Sequence, residues 1–306
     1  MTVDAALRAS GEAFRRDTAA GVSAARARWD ADMALIDCGI THFLCHRWRV
    51  AEELCLHGAN AAPVAMGPDG DPPRDLRGAF ALLHANIALV RGVAEMTDGQ
   101  LEEAVPRLQR ADALLAATES WVGQRMVRGL CTLTLGLCMV AQSKYVQGAW
   151  KLLGAFRTIT RLSEREMLEY KGKEAAAIRS TAMYTLGALY VAMLLVPPAV
   201  ARFTGHGPGL ERGLDLLRAC FREQGICATF AANQLIVYFS QMTLMLGTPV
   251  QPAEWRECAA YFAWAEARYG KSIVFAPLEA DFIGQHVTAR NGTQRHVTAR
   301  NGRSSG

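Results

Sequence analysis

Cys38, His42, Cys45 and His46 form the densest run of metal-ligating side chains in this chain of 306 residues. At helical spacing, Cys38, His42 and either Cys45 or His46 share one side of a helix, a donor set that zinc accepts. One helix presents at most two or three ligands to one ion, however, and the same positions fall on a face that helix packing would claim. We therefore read them as packed cysteines and partly exposed histidines.

The other candidate chemistry is weaker still. Gly205, Gly207 and Gly209 follow a double proline rather than a strand, and no Gly-Lys-Ser/Thr comes after them, so they read as a turn and not as a phosphate loop. Glu102 and Glu103, and the cluster Glu164, Glu166 and Glu169, could serve as general acids and bases. On solvated helix faces such residues more often pair with neighbouring arginines. No ordered Ser/His/Asp set is discernible. We assign no catalytic, cofactor-binding or metal-binding residue and no cofactor, and expect a protein that is not an enzyme.

What must position any such residues is a set of repeated helix pairs. Gly92, Gly99, Ala104, Leu108 and Ala111 return forty-four positions later as Gly136, Ser143, Gly148, Leu152 and Ala155, and upstream as Gly39, His46, Ala51, Cys55 and Gly58. A small residue in a first helix, a turn, then small and larger apolar positions on a second helix are the mark of a tetratricopeptide-like unit. The fold expected is all-α, a tetratricopeptide-like helical-repeat array wound as an α-α superhelix. Its concave surface, lined by the first helix of each pair, would hold a protein partner.

Along the chain, residues 1–30 are expected to form an N-terminal helix or arm. They lack the apolar core of a secretory signal, and Asp4, Glu12 and Asp17 do not suit a mitochondrial transit peptide. Residues 31–162 hold the repeats, with helices over Ala31–His57 turning near Trp48, a Gly/Pro/Asp-rich loop over Gly58–Pro73, and a stripe of Phe80, Leu83, Ile87, Val90 and Ala94. Thr97 and Gln100 suit a capping box opening a helix that buries Leu101, Ala104, Val105, Leu108, Ala111 and Leu115, with Pro106 in its first turns. Helices over Gly123–Gln142 and Tyr145–Arg161 form the next pair, in which Tyr145, Trp150 and Lys151 are read as packing residues.

Residues 163–283 are expected to form a more apolar helical-repeat region. No charge occurs from Ser180 to Ala201 or from Gln224 to Ala253. Pro197 and Pro198 end the first stretch, while Asn233, Gln234 and Gln241 interrupt the second, so both are read as buried inner helices rather than membrane spans. A helix near Ser272–Ile283, with Ile273, Val274, Phe275, Leu278 and Ile283 as its apolar residues, is expected either to be exposed or to dock on Trp255, Phe262 and Trp264. Residues 284–306 carry His286-Val-Thr-Ala-Arg-Asn-Gly292 repeated as His296-Val-Thr-Ala-Arg-Asn-Gly302, a polar tail with no apolar face.

A composition of 51% hydrophobic residues suits a folded core, and a net charge of +4 without basic runs interleaved with aromatics speaks against nucleic acid as a partner. Eight cysteines without a CxxC pair read as buried apolar residues in a reducing compartment.

Three blocks resemble the tetratricopeptide repeat protein 39 and fungal inclusion-body clearance family, also catalogued as an outer-membrane-protein family. They are Ser143–Leu152; Gly187 through Leu194, Leu195, Pro197, Pro198, Phe203 and Gly205 to Gly213–Leu217; and Leu246-Gly247-Thr248 with Tyr269-Gly270-Lys271 before Ile273–Phe275. Members continue with further repeats where this chain has its duplicated tail, and their aromatic loop is reduced here to Thr204-Gly205-His206-Gly207. The resemblance implies a non-enzymatic helical-repeat scaffold, cytoplasmic or peripheral to the mitochondrial outer membrane or lipid droplets, acting in protein-inclusion or lipid homeostasis. The alternative is a membrane-surface or lipid-binding helical protein whose uncharged helices around Leu194 and Val237 contact acyl chains.

Overall fold

A computed structural model describes residues 21–61, 75–95, 98–117, 122–165, 175–195, 209–248, 250–272 and 274–284, with side chains at most of them. Every regular element among the described residues is helical. The helices are α1 (Gly21–Leu44), α2 (Trp48–Ala59), α3 (Arg77–Glu95), α4 (Asp98–Ala117), α5 (Val122–Ala141), α6 (Tyr145–Arg165), α7 (Ala175–Ala192), α8 (Leu210–Arg222), α9 (Ala228–Val237) and α10 (Pro252–Tyr269). Two compact units divide at Ala228/Thr229, whereas the sequence placed its internal boundary at residue 162.

In the first unit each helix packs on the next, and α1 meets α3, α3 meets α5 and α5 meets α7. The contacts are made by small residues. A β-carbon at Gly58 would collide with the Phe80 ring, joining α2 to α3; one at Gly78 would reach Leu115 Cγ at 2.5 Å, and one at Gly129 would reach Ile159 Cγ1 at 2.7 Å. Within the α5–α6 pair, Gly148 faces Val140 and the Gly136 carbonyl, and Gly136 faces Leu152.

The same arrangement recurs within 163–283, where the sequence reading expected helical repeats but aligned no copy to the forty-four-residue register. Gly187 of α7 faces Leu217 and the Gly213 carbonyl of α8, so Gly187, Gly213, Leu217 and Cys220 stand where Gly136, Gly148, Leu152 and Ala155 stand one pair earlier. Leu217, Cys220 and Ala155 are fully buried and Leu152 nearly so. The α7–α8 connection is longer than the α5–α6 turn, which breaks the forty-four-residue spacing and hides the copy.

The turns explain other positions of the pattern. His46 (φ 68°), Ser143 (φ 61°) and Gln224 (φ 50°) occupy the left-handed region that non-glycine residues rarely adopt. After two of them the chain closes alike: Arg47 N–H donates to His42 O at 2.8 Å, and Lys144 N–H to Met139 O at 2.9 Å, a Schellman closure that satisfies helix-end carbonyls. Gly247 (φ 67°) ends the helical run from α9 in the same way, through Thr248 N–H to Thr243 O at 2.9 Å. Gly99 departs from the register, because α4 starts at Asp98 and places Gly99 in its first turn. Thr97, the expected cap, lies outside the described residues.

Several boundaries differ from expectation. Helix α1 begins at Gly21, so the 30/31 boundary falls inside it. Gly58 lies inside α2, which runs to Ala59, rather than opening a loop, and its missing side chain makes room for Phe80. Tyr145 and Trp150 are mainly exposed rather than packed, at 64% and 70%, since the inward face of α6 is taken by Gly148, Leu152, Ala155, Phe156 and Ile159. Lys151 pairs with Asp112 of α4, Nζ to Oδ2 3.6 Å.

Helix α7 buries Ile178, Ser180, Ala182, Met183 and every residue from Thr185 to Ala192, as expected of an inner helix. Among the described residues no helix is long and apolar enough to cross a membrane. In the second unit α9 continues through a π turn at Tyr238–Met242 into Thr243–Met245. Ser240 Oγ donates to Ile236 O and Thr243 Oγ1 to Phe239 O, both at 2.7 Å, so these buried hydroxyls are satisfied inside the helix. Helix α10 opens with Pro252 at its first position and Gln251 N–H donating to Glu254 Oε2 at 2.7 Å, and closes at Gly270 (φ 65°). Residues 275–284 form a further helix whose Phe282 packs on Trp255 and Phe262, with ring centroids 4.1 and 5.4 Å apart. Trp264, the other expected contact, meets Tyr269 and Arg268.

Candidate functional site

The metal-like run disperses at the end of α1. His42 is buried at 5% exposure while His46 is exposed in the turn, where its Nδ1 accepts a hydrogen bond from Trp48 Nε1 at 2.8 Å. Burial raises the Cys38 thiol pKa. Among the described residues no three His, Cys, Asp or Glu side chains converge on a point that could hold a metal ion. Gly209 opens α8, and a β-carbon there would lie 2.5 Å from the Tyr190 ring, a close approach of loop to helix. Gly205 and Gly207, like Glu166 and Glu169, lie outside the described residues, as does the side chain of Glu164. Glu102 is exposed, and Glu103 Oε2 takes Arg107 Nη2 at 3.1 Å along α4.

Two polar clusters emerge that sequence spacing did not bring together. In the first, Glu52 Oε1 of α2 receives Arg91 of α3 at 3.2 Å and Arg107 of α4 at 3.6 Å, while Arg107 Nη1 donates to His84 Nε2 at 3.3 Å. Burial, then Arg107, lowers the His84 pKa, opposed in part by Glu52. In the second, Asp112 of α4 holds Arg128 of α5 at 3.2 Å and Lys151 of α6 at 3.6 Å. Each carboxylate thus ties three successive helices together.

A third cluster is built on Ser180, fully buried in α7. Its Oγ accepts Cys227 N–H at 3.2 Å, and Cys220 Sγ donates to its carbonyl at 3.3 Å. Desolvation pushes the Cys220 thiol up to about 11 and the Cys227 thiol up to about 12, so neither supplies a thiolate. The arrangement fixes the turn that follows α8 against α7.

Exposure separates the two helices of each pair. Along 77–92 of α3 no residue is exposed; on the described part of α5 only Arg125 and Ala141 are, and on α7 only Ala176 and Arg179. The second helices carry the accessible side chains, among them Tyr145, Val146 and Trp150 of α6, with Val146 73% exposed. In the other unit Leu244, Met245 and Leu246 form an exposed apolar tip at 66%, 79% and 48%. No family model, curated protein or solved structure matches the chain.

Proposed function

We propose that this chain is a non-enzymatic helical-repeat scaffold, a tetratricopeptide-like superhelix that holds a segment of another protein. The observation that carries the reading is the recurrence of one small-residue contact, Gly136 against Gly148 and Gly187 against Gly213, in pairs whose first helices also touch in succession. Units that bury their faces on their neighbours leave an extended outer surface for binding. The burial of the first helices moves the expected partner contacts onto the exposed faces of the second helices, away from the inner surface that the sequence favoured. Membership of the tetratricopeptide repeat protein 39 and inclusion-body clearance family, a cytoplasmic location peripheral to the mitochondrial outer membrane or lipid droplets, and a role in protein-inclusion or lipid homeostasis belong to this proposal and rest on the sequence blocks alone.

The apolar tip Leu244–Leu246 favours a second reading, attachment to a membrane or droplet surface. Liposome flotation of the full chain beside titration on a peptide array separates the two. Saturable peptide binding with no flotation supports the scaffold; flotation without saturable peptide binding overturns it in favour of the lipid-surface reading.

A further inference from the structure

The second helices of the four pairs supply an internal comparison. Counting from the buried small position, Val146 and Trp150 of α6 stand where α2 has Arg49 and Glu53, α4 has Glu102 and Pro106, and α8 has Glu211 and Asp215. All eight positions are exposed. The fold accepts charge or proline at this stripe in three copies, so internal packing does not demand valine and tryptophan in the fourth. Exposed apolar side chains grouped in this way mark interaction surfaces.

The same helix turns basic along that face. Residues 120–163 contain six cations, Arg125, Arg128, Lys144, Lys151, Arg157 and Arg161, and no carboxylate. Asp112 of α4 engages Arg128 and Lys151. Arg157 and Arg161 are exposed, and at 3.6 residues per turn they continue the outward line of Val146 and Trp150. Between the two halves lies Gly154, exposed in mid-helix, where a β-carbon would meet nothing within 4 Å. A glycine there weakens the helix, and no close approach among the described residues calls for it.

We propose that this stripe of α6 is the docking site for an amphipathic helix of a partner protein, its apolar side chains against Val146 and Trp150 and its acidic residues against Arg157 and Arg161. Tryptophan and arginine are the side chains that most often anchor such interfaces. A helix laid along α6 would run about 1.5 Å per residue, placing Arg157 about 10 Å and Arg161 about 16 Å beyond Trp150, and this sets the spacing between the partner's apolar and acidic ends. A bilayer fits less well, because an interfacial helix needs a continuous apolar face. Here that face ends at a glycine notch that a solid partner can fill. The inference rests on the scaffold reading and adds the location and chemistry of the contact.

The test is selection of a displayed library of 16-residue peptides on the full chain, followed by titration of the enriched peptides with wild type, Trp150→Asp and Arg157→Glu/Arg161→Glu. Trp150→Asp places the residue found at Asp215 and should keep the thermal midpoint. Should it not, the double arginine variant tests the same site from its charged end. The expected result is acidic, amphipathic peptides whose affinity falls at least tenfold in both variants and recovers when their acidic residues are reversed against the glutamate variant. Enriched peptides that bind all three proteins equally would remove the α6 site and leave the scaffold reading standing. Failure to enrich any peptide would overturn the scaffold reading and this site with it. Flotation on phosphatidylserine vesicles that is lost in Trp150→Asp would assign the stripe to lipid and overturn the proposal.

Discussion

Gly148 lies against the backbone of its partner helix: a β-carbon there would stand 3.0 Å from the Gly136 carbonyl oxygen and 2.6 Å from Val140 Cγ2. Backbone cannot retreat as a flexible side-chain end can, so α6 must shift as a whole to admit anything larger. Gly148→Leu is expected to destabilise the protein by roughly 1–3 kcal/mol through overpacking. Gly154→Ala, six residues along the same helix but facing open space, should instead stabilise by about 0.5–1 kcal/mol. Denaturant midpoints of the two variants check the register; equal signs would show it to be wrong.

Ser143 occupies the left-handed region at φ 61°, and its counterpart at the end of α9 is a glycine, Gly247, at φ 67°. Ser143→Gly removes the steric conflict and keeps both turn hydrogen bonds, since these use main-chain groups. A gain of about 0.5–1 kcal/mol is expected. A loss measured by chemical denaturation would mean that the serine side chain holds the turn.

How much of this was legible beforehand depends on what each residue type constrains. The α5–α6 pair was readable because Gly136, Ser143, Gly148, Leu152 and Ala155 each answer a local need: close approach, a left-handed turn, or a buried position. The α7–α8 copy obeys the same needs through Gly187, Gly213, Leu217 and Cys220, but its longer connection moves the second half out of phase, and fixed spacing misses it. Tyr145 and Trp150 were misread as packing residues because an aromatic at helical spacing is usually core; their exposure shows only in the structure. Phe282 was overlooked beside Ile283, yet Phe282 is 7% exposed and Ile283 is 54% exposed, a choice of helix face that a short segment with few apolar residues does not determine. The ion clusters at Glu52 and Asp112 draw on three helices each, and no sequence window spans them.

The thiols provide a chemical check on burial. Desolvation raises Cys55, Cys131 and Cys227 to about 12 and Cys138 and Cys220 to about 11, and Cys258 is fully buried. Only Cys38 and Cys45 are partly accessible among the eight free cysteines. A disulfide exchange reagent at about pH 8 should titrate no more than these two rapidly in the native protein and all eight after denaturation. Rapid reaction of Cys131 or Cys227, located by peptide mapping, would contradict the packing of α5 or of the turn that follows α8.

Acid should loosen the contact around His84. Its pKa is lowered in the folded state by burial and by Arg107 and Arg110, so the unfolded chain takes up the proton first. The stability from the neutral imidazole is therefore present above the unfolded value of about 6.5 and is lost as pH falls through the folded pKa. His84→Gln preserves an acceptor for Arg107 without titrating. Its thermal midpoint should fall less than that of the wild type between about pH 7.5 and pH 5. Equal falls would place the sensitivity elsewhere.

Hydrogen exchange of the full chain, alone and saturated with a peptide selected on it, bears most directly on the claim that the second helices of a repeat scaffold bind a protein segment. The account predicts slowed exchange concentrated in α6, over Tyr145 to Arg161, with α3 and α7 unchanged because they are already buried. Slowing confined to the first helices, or none in α6 at saturation, would contradict it.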